Sequence, residues 1–393
     1  MKISQHTTKR MENVQTPIIP VIGKLIENNP GTISLAQGVV YYSPPQQALD
    51  KIASFGNNTS NHRYGPVQGV PELIDLIEKK LSHENSIDGD LSKRIIVTAG
   101  ANMAFLNALF AITDPGDEVI LPTPYYFNQE MAIRMINCEP VLVNTDSDFQ
   151  IHPEQLHAAI TPKTRAIVTI SPNNPAGVVY PKHILLEIND LCCKHNIYHI
   201  CDEAYEYFTY GDSQHFSPSS LPGAQDHTIS LYSLSKAYGF ASWRIGYMLI
   251  PEKLYSSVIK SQDTNLICAS IISQTAAIGA MEVGPSYCDG KIALINETRK
   301  LILNELESVR DFCTFPTSQG AFYFLLNVET SLDSMSMVNK LIKDYKVAVL
   351  PGQAFGIDQG CYLRISYGAL GPESAIEGIR RLTKGLNDLC HKS

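Results

Sequence analysis

Residues Ser233–Tyr247 read SLSKAYGFASWRIGY and carry a single lysine among mostly small and aromatic residues. This segment directly follows a short apolar run, Thr228–Tyr232, and it leads into a second one, Arg244–Ile250. Short apolar runs bounded by small and turn-forming residues are typical of buried strands. The sequence therefore predicts two strands joined by a loop, with Lys236 just after the end of the first strand.

The same alternation of strand and helix extends upstream of this segment. Five more apolar runs predict strands, at 95–98, 118–121, 140–143, 165–170 and 198–201. The segments between them are long enough for helices. Strands joined by helices run parallel with helices on both faces of the sheet, and ligands bind at the carboxyl ends of such strands. We therefore predict an α/β fold with a mainly parallel sheet.

Beyond Pro251 the pattern changes to long helical stretches, followed by shorter strands and one more helix. The predicted strands are 322–326, 347–350 and 362–366, and the predicted helix is 335–345. These elements indicate a smaller α+β domain over 286–393, a large domain over 46–285, and an N-terminal segment, 1–45, that joins the smaller domain. A helix that begins near Ala269 could cross the boundary near 285 without a flexible linker.

Composition limits the class of protein. The chain has 31 Lys and Arg against 39 Asp and Glu, a net charge of −8 and no dense basic block, which argues against nucleic acid as a partner. Nine scattered cysteines favour free thiols in the cytoplasm over a disulfide framework, and their spacing predicts no metal site. Residues 1–17 lack the apolar core of a signal peptide, and no stretch is apolar for long enough to span a membrane.

Lys236 is the first candidate for chemistry. A partly desolvated lysine near cations can lose its proton and attack a carbonyl to form a Schiff base. An isolated loop lysine is usually only a solvated charge, so the interpretation depends on its neighbours. Ser233-Leu-Ser-Lys236, followed by Arg244-Ile-Gly-Tyr247, resembles the S-x-S-K and R-x-G-Y motifs of the fold type I pyridoxal-phosphate enzymes, specifically the class I and II aminotransferases.

This resemblance extends from about Val21 to the C-terminus and implies a seven-stranded, mainly parallel sheet and pyridoxal 5'-phosphate as the cofactor. It implies that Lys236 holds the cofactor aldehyde as a Schiff base and moves the proton between substrate Cα and cofactor C4′. Arg244 and Ser233 would bind the cofactor phosphate, because a guanidinium can donate two parallel hydrogen bonds to it. The alternative for Arg244 is an ordinary surface ion pair.

Two upstream motifs supply groups for the cofactor ring. Asp202-Glu-Ala-Tyr205 follows a predicted strand, where an acidic pair alone is commonly a helix cap or a solvated turn. The resemblance assigns Asp202 to the pyridine nitrogen and Tyr205 to the ring oxygen, both as catalytic residues. Ser171-Pro-Asn-Asn-Pro-Ala-Gly177 predicts a rigid turn, and the resemblance makes Asn174 a partner of the ring oxygen and of the substrate. The family usually has Thr where this chain has Ala176, which is a mild departure.

A phosphate site is predicted where a strand passes into a helix at Thr98-Ala-Gly-Ala-Asn102, since free N–H groups and the helix dipole favour an anion there. The resemblance assigns the phosphate to Gly100, Ala101 and Asn102. In Pro124-Tyr-Tyr-Phe127, we choose Tyr126 as the ring that stacks on the cofactor, with Tyr125 as the alternative. Both tyrosines could instead be core residues.

Tyr362-Leu-Arg-Ile-Ser-Tyr367 places Arg364 inside an apolar strand, which is costly unless an anion pairs with it. The resemblance makes this anion the α-carboxylate of the substrate, and the alternative is a buried salt bridge to an Asp or Glu. The resemblance also brings the backbone of Gly38 close to the same carboxylate, and a glycine permits that approach.

Arg63-Tyr-Gly-Pro-Val-Gln-Gly69 resembles the family segment that reaches into the neighbouring subunit. The resemblance implies a homodimer with shared active sites, in which Tyr64 contacts the partner's cofactor phosphate. A simple turn residue is the alternative role for Tyr64.

The expected function is transfer of an amino group from an L-amino acid to a 2-oxo acid such as 2-oxoglutarate, by a ping-pong mechanism. Tyr41 and Tyr42 are candidates for the side-chain pocket and would suit a neutral, aromatic or sulfur-containing donor, with aspartate as the alternative. A C–S lyase, an aminocyclopropane carboxylate synthase and an amino acid cyclase are alternative reactions on this fold. A non-catalytic regulator is a remote alternative, since residues 1–20 are too few for a DNA-binding domain.

Overall fold

The structure is a computed structural model and describes residues 8–390, so both outer ends of the predicted domain ranges, 1–7 and 391–393, lie outside the described residues. Its strands are β1 (Ile33–Ser34), β2 (Ile95–Thr98), β3 (Glu118–Thr123), β4 (Glu139–Asn144), β5 (Thr164–Ile170), β6 (Tyr198–Asp202), β7 (Thr228–Ser233), β8 (Gly246–Leu249), β9 (Cys313–Thr314), β10 (Tyr323–Val328), β11 (Val347–Ala348), β12 (Leu350–Pro351) and β13 (Cys361–Ser366). Its α-helices are α1 (Lys9–Glu12), α2 (Ile18–Glu27), α3 (Gln46–Ile52), α4 (Pro71–Asn85), α5 (Ala101–Ile112), α6 (Phe127–Met135), α7 (Pro153–Ala159), α8 (Lys182–His195), α9 (Leu234–Ala237), α10 (Tyr255–Asn265), α11 (Ile271–Val283), α12 (Pro285–Leu306), α13 (Ser334–Tyr345) and α14 (Pro372–Cys390).

The central layer is a seven-stranded sheet in the order β2-β8-β7-β6-β5-β3-β4. Its strands are parallel except β8, which runs antiparallel to both of its neighbours, β2 and β7. Alternate residues of a strand face opposite sides of the sheet. Val119 and Leu121 accordingly pack in the cluster that contains Phe105 of α5, whereas Ile120 packs with Leu185 of α8. The predicted mainly parallel sheet between two layers of helices is confirmed.

The last predicted strand of this sheet begins later than expected. Arg244 has a left-handed backbone conformation, with φ of +52°, so it cannot belong to a strand, and β8 starts at Gly246. Gly246 pairs with Ser233 at the end of β7. The tight connection between them therefore contains both Lys236 and Arg244.

A second sheet is antiparallel, in the order β12-β13-β10-β9, and β1 forms a separate parallel pair with β11. The run 347–350, predicted as one strand, is thus divided between two sheets. The long helical stretch that begins near residue 270 is broken at Gly284, where φ is +74°, beside the predicted boundary. The division into domains at 285 stays a prediction. Within residues 8–390, no helix combines the length and the apolar character needed to cross a membrane.

Candidate active site

A cavity of about 320 Å³ lies at the carboxyl ends of the central strands. Ile170, Asp202 and Ser233 are the last residues of β5, β6 and β7, and all three line it. Parallel α/β sheets bind ligands at this edge. The other lining residues are Ile19, Gln37, Gly38, Val39, Ala101, Asn102, Tyr126, Phe127, Asn174, Ala204, Tyr205, Ser235, Lys236, Ala241, Arg244, Tyr323 and Arg364. Most of the residues predicted from separate motifs therefore meet in one cavity.

Lys236 projects into this cavity from the short helix α9, which begins where the Ser233 side chain accepts a hydrogen bond from the Ser235 N–H at 3.1 Å. The Lys236 ammonium donates a hydrogen bond to the Gly38 carbonyl. Burial, together with the positive charges of Arg364 and Arg244, lowers the pKa of Lys236 to about 8. An appreciable fraction of this amine is therefore neutral and nucleophilic near neutral pH.

Asp202 is buried at the end of β6 and accepts hydrogen bonds on both oxygens. The Gln129 amide donates to Oδ2 at 2.8 Å, and the backbone N–H of Ala204 donates to Oδ1 at 3.2 Å. Burial, opposed by the Ala204 hydrogen bond, raises the pKa of Asp202 to about 6. A carboxylate held in this way is a ready partner for a positively charged group in the cavity.

Arg364 is only 2% exposed, and no Asp or Glu among residues 8–390 forms a salt bridge with it. Its guanidinium donates to the Asn174 side-chain oxygen at 3.0 Å and to the Ala36 carbonyl, while its Nε has no hydrogen-bond partner in the described part of the chain. Burial lowers its pKa. The buried salt bridge considered from the sequence is absent in the described part of the chain, and Arg364 has capacity for an anion from outside.

Tyr205 and Asn174 lie side by side against Arg364. The Asn174 amide donates to the Tyr205 hydroxyl at 3.3 Å, and a second phenol, Tyr323, has its hydroxyl 2.7 Å from that of Tyr205. Burial raises the pKa of Tyr205 well above its ordinary value. Tyr205 is therefore a neutral phenol, able to donate a hydrogen bond, at any pH near neutrality.

The other end of the cavity is built to hold an anion. Ala101 and Asn102 begin α5, a twelve-residue helix, and their N–H groups lack partners within the first turn. Arg244 is exposed and donates only to the carbonyls of Ala241 at 2.8 Å and Ala99 at 3.4 Å, with no salt bridge to a carboxylate of the described residues. Gly100 has φ of +79°, a conformation that favours glycine, and a Cβ added there would lie 2.6 Å from Arg244 Nη2. A guanidinium and a helix N-terminus therefore face the same space.

The two adjacent tyrosines after β3 point in different directions. Tyr126 lines the cavity, and its hydroxyl accepts a hydrogen bond from the Asn128 amide at 2.8 Å. The ring of Tyr125 instead packs against Gly356, where an added Cβ would be 2.4 Å away. Tyr126 is thus the tyrosine of this pair that lies at the cavity.

Three other predicted tyrosines are not on the cavity wall. Tyr64 is 80% exposed. The Tyr42 hydroxyl donates to the backbone carbonyls of Lys236 and Ala237, at 2.9 and 3.2 Å, and Tyr41 is 37% exposed, with its ring edge-on to that of Tyr42. Neither ring lines the cavity of this chain, so their place in the side-chain pocket stays a prediction.

Sequence reasoning missed two buried polar residues at the site, Tyr323 and Gln129. Tyr323 begins β10 within the run Phe322–Leu326, where it is indistinguishable from a core aromatic. Gln129 lies in the first turn of α6, three residues beyond Tyr126, and this proximity is its only sequence signal. Neither residue lies within a recognisable sequence motif, so their places in the site could not be predicted.

A cluster outside the cavity contains three groups of metal-ligating type. Glu203, Glu206 and His215 each bring one ligand atom within 4.8 Å of the others. Lys80 already forms a salt bridge with Glu206, and His215 is paired with Glu203 at 2.8 Å. These carboxylates thus have cationic or histidine partners from the chain itself.

Comparison with known proteins gives concordant matches. Residues 30–381 match the family described as aminotransferase class I and II. The aromatic aminotransferase ISS1 of Arabidopsis thaliana is 32% identical, over 98% of this chain and 97% of that protein. The aspartate aminotransferase of Pyrococcus abyssi is 34% identical, over 91% of this chain and 92% of that protein. The solved structure of the aromatic aminotransferase from Pyrococcus horikoshii OT3 has a TM-score of 0.86 at 32% identity, covering 93% of this chain and 99% of that chain.

Proposed function

We propose a substrate class for this chain, which belongs to the class I and II aminotransferase family and is a pyridoxal-phosphate-dependent aminotransferase. It transfers the amino group of a neutral, aromatic or sulfur-containing L-amino acid to a 2-oxo acid such as 2-oxoglutarate. The two half-reactions would follow one another in the same cavity, in a ping-pong sequence. When bound, the cofactor supplies an aldehyde that combines with amines and a pyridine ring that accepts electrons from the neighbouring carbon. The observation that carries the proposal is a buried arginine, Arg364, which has no carboxylate partner among residues 8–390 and lies in the same cavity as Lys236 and Asp202.

The cavity chemistry suits this cofactor. Its volume falls in the ordinary range for small-molecule sites, about 300–1,000 Å³. We assign the phosphate to Gly100, Ala101, Asn102, Ser233 and Arg244. The guanidinium without a salt bridge and the start of α5 together would neutralise its charge.

We assign Lys236 as the residue that holds the cofactor and moves the proton. Its lowered pKa makes the neutral amine available for attack on the aldehyde. Once released by an incoming amino group, the same Nζ can accept the proton from substrate Cα and return it. The Tyr42 hydrogen bonds to the backbone of Lys236 and Ala237 hold the short helix that aims this side chain.

We assign Asp202 to the ring nitrogen, where its carboxylate would keep that nitrogen protonated. The Gln129 amide and the Ala204 N–H orient the carboxylate for this role. Tyr205 and Asn174 would donate hydrogen bonds to the ring oxygen, and the face of Tyr126 would cover the ring. Each role matches the position of the residue on the cavity wall.

We assign Arg364, with the Gly38 backbone and Asn174, to the α-carboxylate of the substrate. A buried guanidinium already oriented by Asn174 can meet a carboxylate with two parallel hydrogen bonds. Among the described residues that line the cavity, the cations are Lys236, Arg244 and Arg364, each with a role above. Within residues 8–390 no further cation lines the cavity to meet a second substrate carboxylate, and Ile19, Val39 and Phe127 offer apolar surface. This arrangement favours a neutral donor over aspartate, which is the substrate named for several relatives.

We also propose a homodimer in which Tyr64 contacts the partner's phosphate. The loop of Tyr64 is fixed in place, because Gln262 donates to the Val67 carbonyl at 2.7 Å and Gln274 accepts from the Val70 N–H at 2.8 Å. A braced loop that carries an 80% exposed tyrosine is suited to contact with another subunit. The domains proposed are 46–285 for the cofactor and 286–393 for the smaller unit, with 1–45 joining the latter. The nine free thiols support the cytoplasm as the location.

An absorbance experiment tests the function. Purified protein with added pyridoxal phosphate is scanned between about 300 and 500 nm before and after each common amino acid is supplied without an oxo acid. We expect a visible band that moves to shorter wavelength with neutral, aromatic or sulfur-containing donors and returns when 2-oxoglutarate is added. Lys236→Ala should lack the band, whereas Lys291→Ala, which removes a lysine outside the cavity, should retain it. A band that responds only to aspartate would overturn the donor class, and a normal band in Lys236→Ala would overturn the site.

A further inference from the structure

Tyr323 occupies a special position on the cavity wall although no sequence motif contains it. Its hydroxyl lies 2.7 Å from the hydroxyl of Tyr205. The face of its ring lies against Arg364, with 4.6 Å between the guanidinium carbon and the ring centre. One phenol therefore contacts both the residue proposed for the cofactor ring and the residue proposed for the substrate carboxylate.

The Tyr323 phenol is held firmly by its surroundings. Tyr323 is fully buried, and the rings of Phe322 and Tyr205 pack against it, with centres 4.8 and 5.6 Å away. A Cβ added to Gly38 would be 2.3 Å from the Tyr323 hydroxyl, so that hydroxyl rests directly on the backbone of Gly38. Gly38, whose carbonyl accepts the hydrogen bond from Lys236, therefore limits the movement of this hydroxyl on one side.

The protonation of the Tyr205 and Tyr323 phenols limits the hydrogen bonds that they can form. Burial raises the pKa of Tyr205 well above its ordinary value and that of Tyr323 to about 12, so both phenols keep their protons near neutral pH. Two neutral hydroxyls at 2.7 Å share one hydrogen bond, in which one donates and the other accepts. The Tyr205 oxygen also accepts from the Asn174 amide at 3.3 Å. If Tyr323 is the donor, both acceptor positions of Tyr205 are filled and its own hydrogen is left for the cavity.

We propose that Tyr323 is a positioning residue for the reaction, which donates a hydrogen bond to Tyr205 and so directs the Tyr205 hydrogen toward the ring oxygen of the bound cofactor. This inference rests on the proposed role of Tyr205. A phenol that accepts a hydrogen bond is polarised and becomes a better donor, by about 10–30% of the energy of the bond that it donates. Tyr323 thus acts on the cofactor through Tyr205 and not by direct contact with the ring.

The charged groups around the pair do not take over this role. Arg364 lies over the ring of Tyr323, and its positive charge opposes the rise in the pKa of Tyr205 that burial and Tyr126 cause. The Lys236 Nζ is 5.9 Å from the centre of the Tyr205 ring. Asp202 is occupied by Gln129 and Ala204. Replacing Tyr323 by Phe removes the hydroxyl but keeps the ring under Arg364, so the stacking is preserved.

The test is a pH titration of the visible absorbance band of the cofactor-loaded protein. A hydrogen bond to the ring oxygen favours the form in which that oxygen carries negative charge and the Lys236 nitrogen has lost its proton, so weakening the bond raises the midpoint. We expect Tyr323→Phe to raise the midpoint by about 0.1–0.7 of a pH unit, which is 10–30% of a hydrogen bond to a charged group. Tyr205→Phe should raise it further. Tyr323→Phe should add nothing in the Tyr205→Phe background, because the effect passes through Tyr205.

Tyr210→Phe is the matched control. Its buried hydroxyl donates to the Ala321 carbonyl at 2.5 Å and is not on the cavity wall, so its loss should leave the midpoint unchanged. An unchanged midpoint in Tyr323→Phe, or an equal shift in the Tyr205→Phe background, would overturn the inference alone. A wild-type protein that shows no visible band with pyridoxal phosphate would overturn the proposed function together with the inference.

Discussion

Replacing Arg364 by Leu separates what a buried charge costs the fold from what it contributes to substrate binding. A carboxylate bound by this guanidinium would accept two charge-assisted hydrogen bonds, each contributing about 1.5–3 kcal/mol. Their combined loss corresponds to a decrease in kcat/KM of roughly 10²–10⁴-fold. Arg364→Lys should recover only part of this, because an ammonium keeps the charge but cannot donate two parallel bonds.

The same substitution should affect stability much less than its burial suggests. It leaves the Asn174 side-chain oxygen and the Ala36 carbonyl without their donor, at a cost of about 1–3 kcal/mol each. It also removes a guanidinium that is buried without a carboxylate partner among residues 8–390, and this relief offsets the cost. We expect the free energy of unfolding of the cofactor-free protein to change by less than about 2 kcal/mol. Leu382→Ala, a fully buried apolar control on α14, should lose about 2–5 kcal/mol.

Urea unfolding without cofactor and steady-state kinetics with several amino acids measure the two effects. The expected pattern is a large kinetic loss with little loss of stability for Arg364→Leu, and the reverse for Leu382→Ala. An unchanged KM for every active amino acid would refute the carboxylate role of Arg364. A loss of stability as large as that of the control would show that the charge is compensated in the empty cavity.

Three further outcomes are expected. Burial lowers the pKa of Lys236 from 10.5 to about 8, so between these pH values the unfolded state binds more protons than the folded state. The free energy of unfolding of the empty protein should therefore rise by up to about 3 kcal/mol as the pH rises across this window. Lys236→Met should abolish this rise in urea titrations. Gly38→Ala would place a Cβ 2.3 Å from a buried hydroxyl and should cost about 1–3 kcal/mol in thermal unfolding, whereas Gly56→Ala, with open space around the added carbon, should not. Gln129→Leu removes the donor to Asp202, so the pKa of that carboxyl should rise further above about 6. As the pH is lowered, cofactor affinity measured by fluorescence should therefore begin to fall at a higher pH than in the wild type.

The fold was largely accessible from the sequence because its strands are short apolar runs separated by helices of readable length. The predicted strand 95–98 has the same bounds as β2. The start of β8 was not accessible, since apolar pattern carries no information on the left-handed φ of Arg244. The division of 347–350 between two sheets was likewise hidden, because pairing partners are set by tertiary contacts.

The candidate site was accessible wherever a functional residue directly follows a strand. Asp202 ends β6, and Lys236 and Asn174 lie three and four residues beyond the ends of β7 and β5, so the parallel sheet brings them to one edge. Tyr323 was hidden because a phenol inside an apolar strand looks like core. The hydrogen bond from Tyr42 to the lysine backbone was also hidden, because proximity to Gly38 in sequence does not determine where the Tyr42 hydroxyl points.

The cavity is closed by contacts between residues far apart in the chain. Arg364 binds Ala36 across 328 positions, and Lys236 binds Gly38 across 198. Contacts of such separation form late, because the entropy lost in closing large loops must be recovered from structure that already exists. A growing polypeptide thus acquires its separate sheets before it can assemble the cavity, which needs β13 in place. Arg364, which lies in β13, is therefore expected to join the cavity after the residues assigned to the cofactor, which precede it in the chain.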